Sequence, residues 1–175
     1  MIRTHQDSSV LTLDVAGPAT MLESPAVHAS TSERLSCGIR VLRVDLRDCT
    51  SMDSTFSGML LALKRQLDAT GGSLTLVSPS PRVCELLEQM GLEDFYAVEI
   101  VERSDHAAWS ELATSPGRVE KLRRLVLDAH DELARAPGRA GRTFRAVADE
   151  LRRTDLEPLR ADSELPSSRP DHGSS

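Results

Sequence analysis

Residues 44–61, VDLRDCTSMDSTFSGMLL, decide the fold. The apolar, β-branched run from Val41 to Leu46 ends in a polar turn, Arg47-Asp48-Cys49-Thr50-Ser51. Asp53-Ser54-Thr55 follows, and a helical pattern opens at once. Phe56, Leu60, Leu63 and Leu67 recur at helical spacing, with Met59 and Leu61 widening the stripe. Asp53 fits the N-cap position, where a carboxylate reaches back to the orphan amides of the first turn, and Gly71-Gly72 stops the helix. The stretch reads as strand, turn, helix, with hydroxyls at the helix N-terminus. Free N–H groups and the helix macrodipole favour negative charge there. A phosphate on Ser54 would add about −1.5 to −2 charges at neutral pH and stand beside the Asp53 carboxylate. A serine or threonine in such a place is more often a plain cap, so the helix end by itself assigns no function.

Outward from this stretch, the 175 residues suit one domain plus an appendage. Hydrophobic residues make up 39%, enough for a core, and aromatics only 3%, so that core is aliphatic. The net charge is −6, with no basic stretch alternating with aromatics, which leaves nucleic-acid binding without an electrostatic footprint. No apolar run reaches membrane-spanning length and no signal peptide opens the chain, so no membrane insertion and a cytoplasmic location are expected. Cys37, Cys49 and Cys84 are odd in number, lack ligand spacing and read as reduced, part-buried side chains.

In chain order, residues 1–9 are polar and read as a fraying terminus, and residues 10–15 (VLTLDV) as a strand closed by Ala16-Gly17-Pro18. Residues 20–36 suggest a helix broken at Pro25, with Thr31 or Ser32 capping a second piece. A strand over 40–46, the central helix and a third strand over 73–77 (SLTLV) come next. Ser80-Pro81 starts a further helix with the face Val83, Leu86, Leu87 and Met90, which Gly91 ends. Residues 95–101 read as a last strand. Such alternation argues for an α/β layer with right-handed crossovers, and with three helices one sheet face is less well covered.

The chain here resembles the STAS domain, the fold of bacterial anti-sigma-factor antagonists, over residues 10–101. Val44-Asp45-Leu46, Met52-Asp53-Ser54-Thr55 and Gly58 match where the family typically has Asp-Ser-Ser-Gly-Leu. Gly71-Gly72-Ser73-Leu74-Thr75-Leu76, Pro81-Arg82-Val83, Leu86-Leu87 and Gly91-Leu92 before Phe95 carry the rest, at family spacing throughout. The resemblance implies a STAS-like α/β fold, a layered sheet of about four strands with alternating helices. It also implies that Ser54 is phosphorylated by a partner kinase that is itself an anti-sigma factor, with Thr55 as the alternative acceptor. Unphosphorylated, such a domain binds the kinase and frees the sigma factor; phosphorylated, it is released. Asp53, Ser54, Thr55, Phe56 and Ser57 are the implied partner-binding residues. Thr55 replaces the family's second serine and keeps a hydroxyl. Phe56 stands where glycine is usual and Ser57 where leucine is usual; a phenylalanine there crowds a partner or offers it an apolar anchor. Gly17-Pro18-Ala19-Thr20 falls where some members carry an acidic residue near the acceptor.

The domain is thus expected over 1–101, a helical extension over 102–156 and a disordered tail over 157–175, rich in Pro, Ser, Asp and Arg. Residues 104–113 suggest a short helix from which Trp109 docks on the domain. Ser115-Pro116 starts a longer helix whose seam is Val119, Leu122, Val126, Ala129 and Leu133, broadened by Leu125. Pro137-Gly138-Arg139-Ala140-Gly141 breaks it, and Phe144, Val147, Ala148 and Leu151 open a second, shorter helix. Such a hairpin packs on a sheet face or edge of its own domain, or pairs with a second copy in a homodimer.

The histidines His5, His28, His106, His130 and His172 show no metal spacing, and His130 beside Asp131 reads as solvated. The carboxylates Asp45, Asp48 and Asp53 read as turn and cap groups rather than a magnesium site. Ser54 lacks a G-x-S-x-G setting and an evident histidine partner, so no catalytic residue, metal or cofactor is expected. Two functions stand out. One is a phosphorylation-switched regulator that binds an anti-sigma serine kinase; the other is a non-switched STAS subunit of a larger signalling or transport assembly.

Overall fold

The computed structural model describes residues 1–102, 108–113 and 119–161, with the side chains of 119 and 155–161 left aside. The chain forms the α/β architecture the alternation implies. Strands β1 (Ile2–Asp7), β2 (Val10–Val15), β4 (Val41–Asp45), β6 (Ser73–Val77), β7 (Ala97–Glu99) and β8 (Ser110–Glu111) make a six-stranded sheet in the order β7-β6-β4-β2-β1-β8. β3 (Gly17–Ala19) and β5 (Cys49–Met52) form a separate parallel pair. The helices are α1 (Ser24–Ser36), α2 (Ser54–Asp68), α3 (Pro81–Met90), α4 (Val119–Arg135) and α5 (Gly138–Ala161).

The sheet has a wet face and a dry one. Leu13, Val44 and Leu76 pair across β2, β4 and β6 and are buried, whereas their neighbours Thr12, Arg43 and Thr75 pair on the opposite face and stay half-exposed. These parallel strands therefore alternate in polarity, as strands do when helices cover one side only.

Several readings need correction. Residues 1–9 do not fray, because β1 pairs antiparallel with β2 along its whole length and Ile2 is buried in the core. The apolar signal was hidden in a short polar stretch whose alternate residues, Ile2 and Thr4, face inward. α1 is one helix, since Pro25 lies in its first turn, where a missing N–H costs nothing. Thr31 lies inside it and caps nothing. Of the expected turn over 47–51, residues 47–48 turn and 49–51 belong to β5. Of the expected helix over 104–113, residues 110–111 are β8, paired with β1, while 103–107 lie outside the described residues. Trp109 does dock: the Arg3 guanidinium lies 4.9 Å from its ring centre, and the His5 ring, tilted by 58°, has its centre 5.8 Å away. The Ser115-Pro116 start is also outside the described residues.

The helical hairpin forms, with a tighter turn and a longer second arm than its sequence suggests. α5 begins at Gly138, and it runs to Ala161, through the first residues of the expected tail; 162–175 are not described. The hairpin packs on its own chain, though not on the sheet. α4 lies on α2, α5 lies on α4, and α2 is sandwiched between the hairpin and the sheet.

Because Ile2 is a core residue, Ile2→Ala is expected to cost about 2–4 kcal/mol, read as a lowered urea midpoint. A terminus that frays would give no change.

Candidate functional site

The site is built where α2 begins. Asp53 is its N-cap: Oδ1 accepts from the Phe56 N–H at 2.8 Å. Its other oxygen, Oδ2, accepts from the Met21 N–H at 2.7 Å, and its own N–H donates to the Ala19 carbonyl at 3.1 Å. One carboxylate thus caps α2 and ties down the loop that leads into α1. Residues 19–21, from the end of β3 into the turn before α1, are thereby held against Asp53, next to the candidate acceptor.

Ser54 is the first residue of α2 and half-buried. Its Oγ lies 3.1 Å from Nε2 of His130, on α4. The other ring nitrogen, Nδ1, is 2.8 Å from the Val126 carbonyl. A carbonyl only accepts, so Nδ1 carries a proton, and in the tautomer with its single proton there Nε2 accepts the Ser54 O–H. Ser54 therefore has a histidine partner after all. His130 is buried at 7% exposure, not solvated, and packs edge-on to Phe144 of α5 with ring centres 6.1 Å apart. The signal was present in the sequence: His130 is four residues after Val126 and next to Ala129, on the apolar seam of α4.

The other expected contact residues point elsewhere. Thr55, Phe56 and Ser57 are all buried, Phe56 completely. Phe56 is thus part of the core. It neither crowds a partner at the surface nor offers it an anchor. Ser57 donates from Oγ to the Asp53 carbonyl at 2.9 Å, and its own carbonyl accepts from the Tyr96 hydroxyl at 3.2 Å. Of the five residues, only Asp53 and Ser54 are half-exposed in this structure.

A further close contact lies one turn along α2. A Cβ on Gly58 would meet the main chain of Ala129, with its carbonyl oxygen at 2.3 Å, so only glycine allows α4 this close. Arg65 of α2 and Glu132 of α4 add an ion pair at 3.0 Å.

A serine hydroxyl on an imidazole is also a nucleophile–base arrangement. Here the imidazole is oriented by a main-chain carbonyl rather than a carboxylate. The apolar cavity nearby, of about 300 Å³ between Met21, Leu122, Val126 and Leu151, is lined by neither Ser54 nor His130. No group of three or more metal-type side chains converges among the described residues, and none of their helices is long and apolar enough to cross a membrane.

Residues 2–102 match the family model described as Mlab, STAS domain. No curated protein matches the chain at a significant level. Similar solved structures include the anti-sigma factor antagonist SpoIIAA in its unphosphorylated form, 18% identical, covering 58% of this chain and 89% of that one with a TM-score of 0.53. The Bacillus cell fate determinant SpoIIAA in the phosphorylated form is 17% identical over 58% of this chain and 92% of that one, with a TM-score of 0.50. The Thermotoga maritima protein TM1081 is 19% identical over 57% of this chain and 85% of that one, with a TM-score of 0.52. At such identities the likeness is one of fold; the family match ends at residue 102, before the hairpin begins.

Burial holds the Tyr96 phenol well above its ordinary value of 10.0. The folded state therefore keeps a proton that the unfolded chain gives up above about pH 10. The associated stability is complete below that pH and is lost as pH rises. The wild-type urea midpoint should then fall more steeply above about pH 10 than that of Tyr96→Phe. Parallel curves would contradict the assignment.

Proposed function

We propose that this chain, which belongs to the STAS domain family, is a phosphorylation-switched binding module whose acceptor is Ser54. It acts as a regulator of the anti-sigma-factor-antagonist kind rather than as an enzyme. The observation that carries the reading is the position of Ser54, the first residue of α2 directly after its aspartate cap, in a chain that matches the family over residues 2–102. One structural neighbour, SpoIIAA, was solved both with and without phosphate, which suits a switch on this fold. The partner is a serine kinase that is also an anti-sigma factor, and it brings ATP and Mg²⁺ itself. Phosphate on Ser54 adds about −1.5 to −2 charges beside the Asp53 carboxylate, and repulsion plus desolvation break the docked fit.

A second reading is a non-switched STAS subunit of a larger assembly. It is favoured by the Ser54 hydroxyl being already engaged by His130.

Phosphopeptide analysis of the protein from its native cells separates the two. Phosphate on Ser54 is expected; its absence in both growth and stress would leave the subunit reading. Once a kinase partner is found, Ser54→Ala should bind it as well as unmodified protein, and Ser54→Asp more weakly by about tenfold or more, which is about 1.4 kcal/mol. Equal affinities would sink the switch.

A further inference from the structure

The start of α2 carries a docking surface for a helix, and in this structure its occupant is the chain's own α4. Thr55 through Leu61 are buried without interruption. A sheet can cover only one side of a helix, so a run buried all round requires a second cover. α4 supplies it. The closest approach is main chain to side-chain-free main chain: the three atoms nearest a Cβ on Gly58 all belong to Ala129, at 2.3, 2.7 and 2.9 Å. One turn towards the N-terminus of α2, the Ser54 hydroxyl meets His130 at 3.1 Å. The surface therefore fits an amphipathic helix with two features: a small residue opposite Gly58, and, one residue later in that helix, a hydrogen-bond acceptor for Ser54. α4 has both in Ala129 and His130.

We infer that the α4–α5 hairpin closes the Ser54 surface, so that a partner reaches Ser54 only when the hairpin leaves, and that such a partner competes by presenting a helix of the same kind. This rests on Ser54 being the docking site proposed above. A kinase needs the hydroxyl free of its imidazole and room above it for a nucleotide, and α4 occupies that room. What holds the hairpin down is mostly apolar packing by Ala129, Leu133 and Phe144. The Arg65–Glu132 ion pair, with Arg65 44% exposed, adds little. Among the described residues, the last main-chain bond to the sheet before α4 runs from the Leu112 N–H, just after the two-residue strand β8, to the Ile2 carbonyl at 2.9 Å.

The test needs no partner. Ser54→Cys is labelled with iodoacetamide in the full chain and each site is followed by peptide mass spectrometry. Exposed Cys37 and buried Cys49 are the open and closed references. Two variants dislodge the hairpin from opposite sides: Gly58→Leu, whose Cβ runs into the main chain of Ala129 on α4, and Leu133→Asp, which leaves the sequence of α2 unchanged. Amide exchange of the strands reports whether the sheet is intact. The expected result is slow labelling of Ser54→Cys, accelerated about tenfold or more in both variants while β4 and β6 stay protected. Labelling at the Cys37 rate in the unaltered background would overturn the proposal. So would unchanged labelling after α4 and α5 lose protection, and so would loss of strand protection in both variants, which would make the hairpin an integral part of the core. Because no phosphate is involved, a closed surface with Ser54 never phosphorylated would sink the switch and leave the cover standing.

Discussion

The structure depends on the first two turns of α2, residues 55–61, being buried around their whole girth. Phe56, Leu60, Leu63 and Leu67 turn to the body of the domain, yet Ser57, Gly58, Met59 and Leu61 are buried too. A helix of this kind is unstable on a sheet surface with its other side in water. It forces a third layer, and the third layer is the hairpin. The polar ladder Thr12-Arg43-Thr75 on the far sheet face shows where the chain does accept water. The additional helices were not spent on that face because α2 needed them more.

From this constraint the geometry of the site follows. The N-terminus of α2 is a junction: the Asp53 carboxylate reaches both the first turn of α2 and the loop before α1, and the Ser54 hydroxyl reaches α4. Three elements thus meet at two adjacent polar side chains. A charge added at Ser54 acts on a buried imidazole and a close helix crossing together. The Ser54 hydroxyl and the seat of the hairpin share the same few atoms, so a modification of Ser54 would act on both.

Much of this was legible. The central strand, the Asp53 cap, the Ser80-Pro81 start of α3 and the left-handed Gly91 that ends it are local signals, and each is where the residues place it. What escaped was non-local. β1 is short and carries only one large apolar residue, so its pairing along β2 outweighs its composition. β5 is a polar stretch held by β3, with which it has no pattern in common. At the site, Asp53 and Ser54 are readable as cap and helix start, and Phe56 follows its place on the apolar stripe with Leu60, Leu63 and Leu67, so the family's glycine is no guide to its surroundings. His130 could have been found from its place on the α4 seam; its pairing with Ser54 could not, since 76 residues separate them and no spacing encodes a helix–helix crossing. Met59 and Leu61, which widen the stripe, carry the clue to this crossing. A stripe too wide for one covering face implies a second one.

The central claim, that α4 lies on the Ser54 end of α2, is tested most directly by nuclear Overhauser contacts in the full chain in solution. The account predicts strong cross-peaks between the Gly58 Hα protons and the Hα and methyl protons of Ala129, together with contacts from the Ser54 Hβ protons to the His130 ring. Helical shifts for residues 119–161 without any cross-peak to α2 would contradict it, and would show a hairpin that forms but does not cover the site.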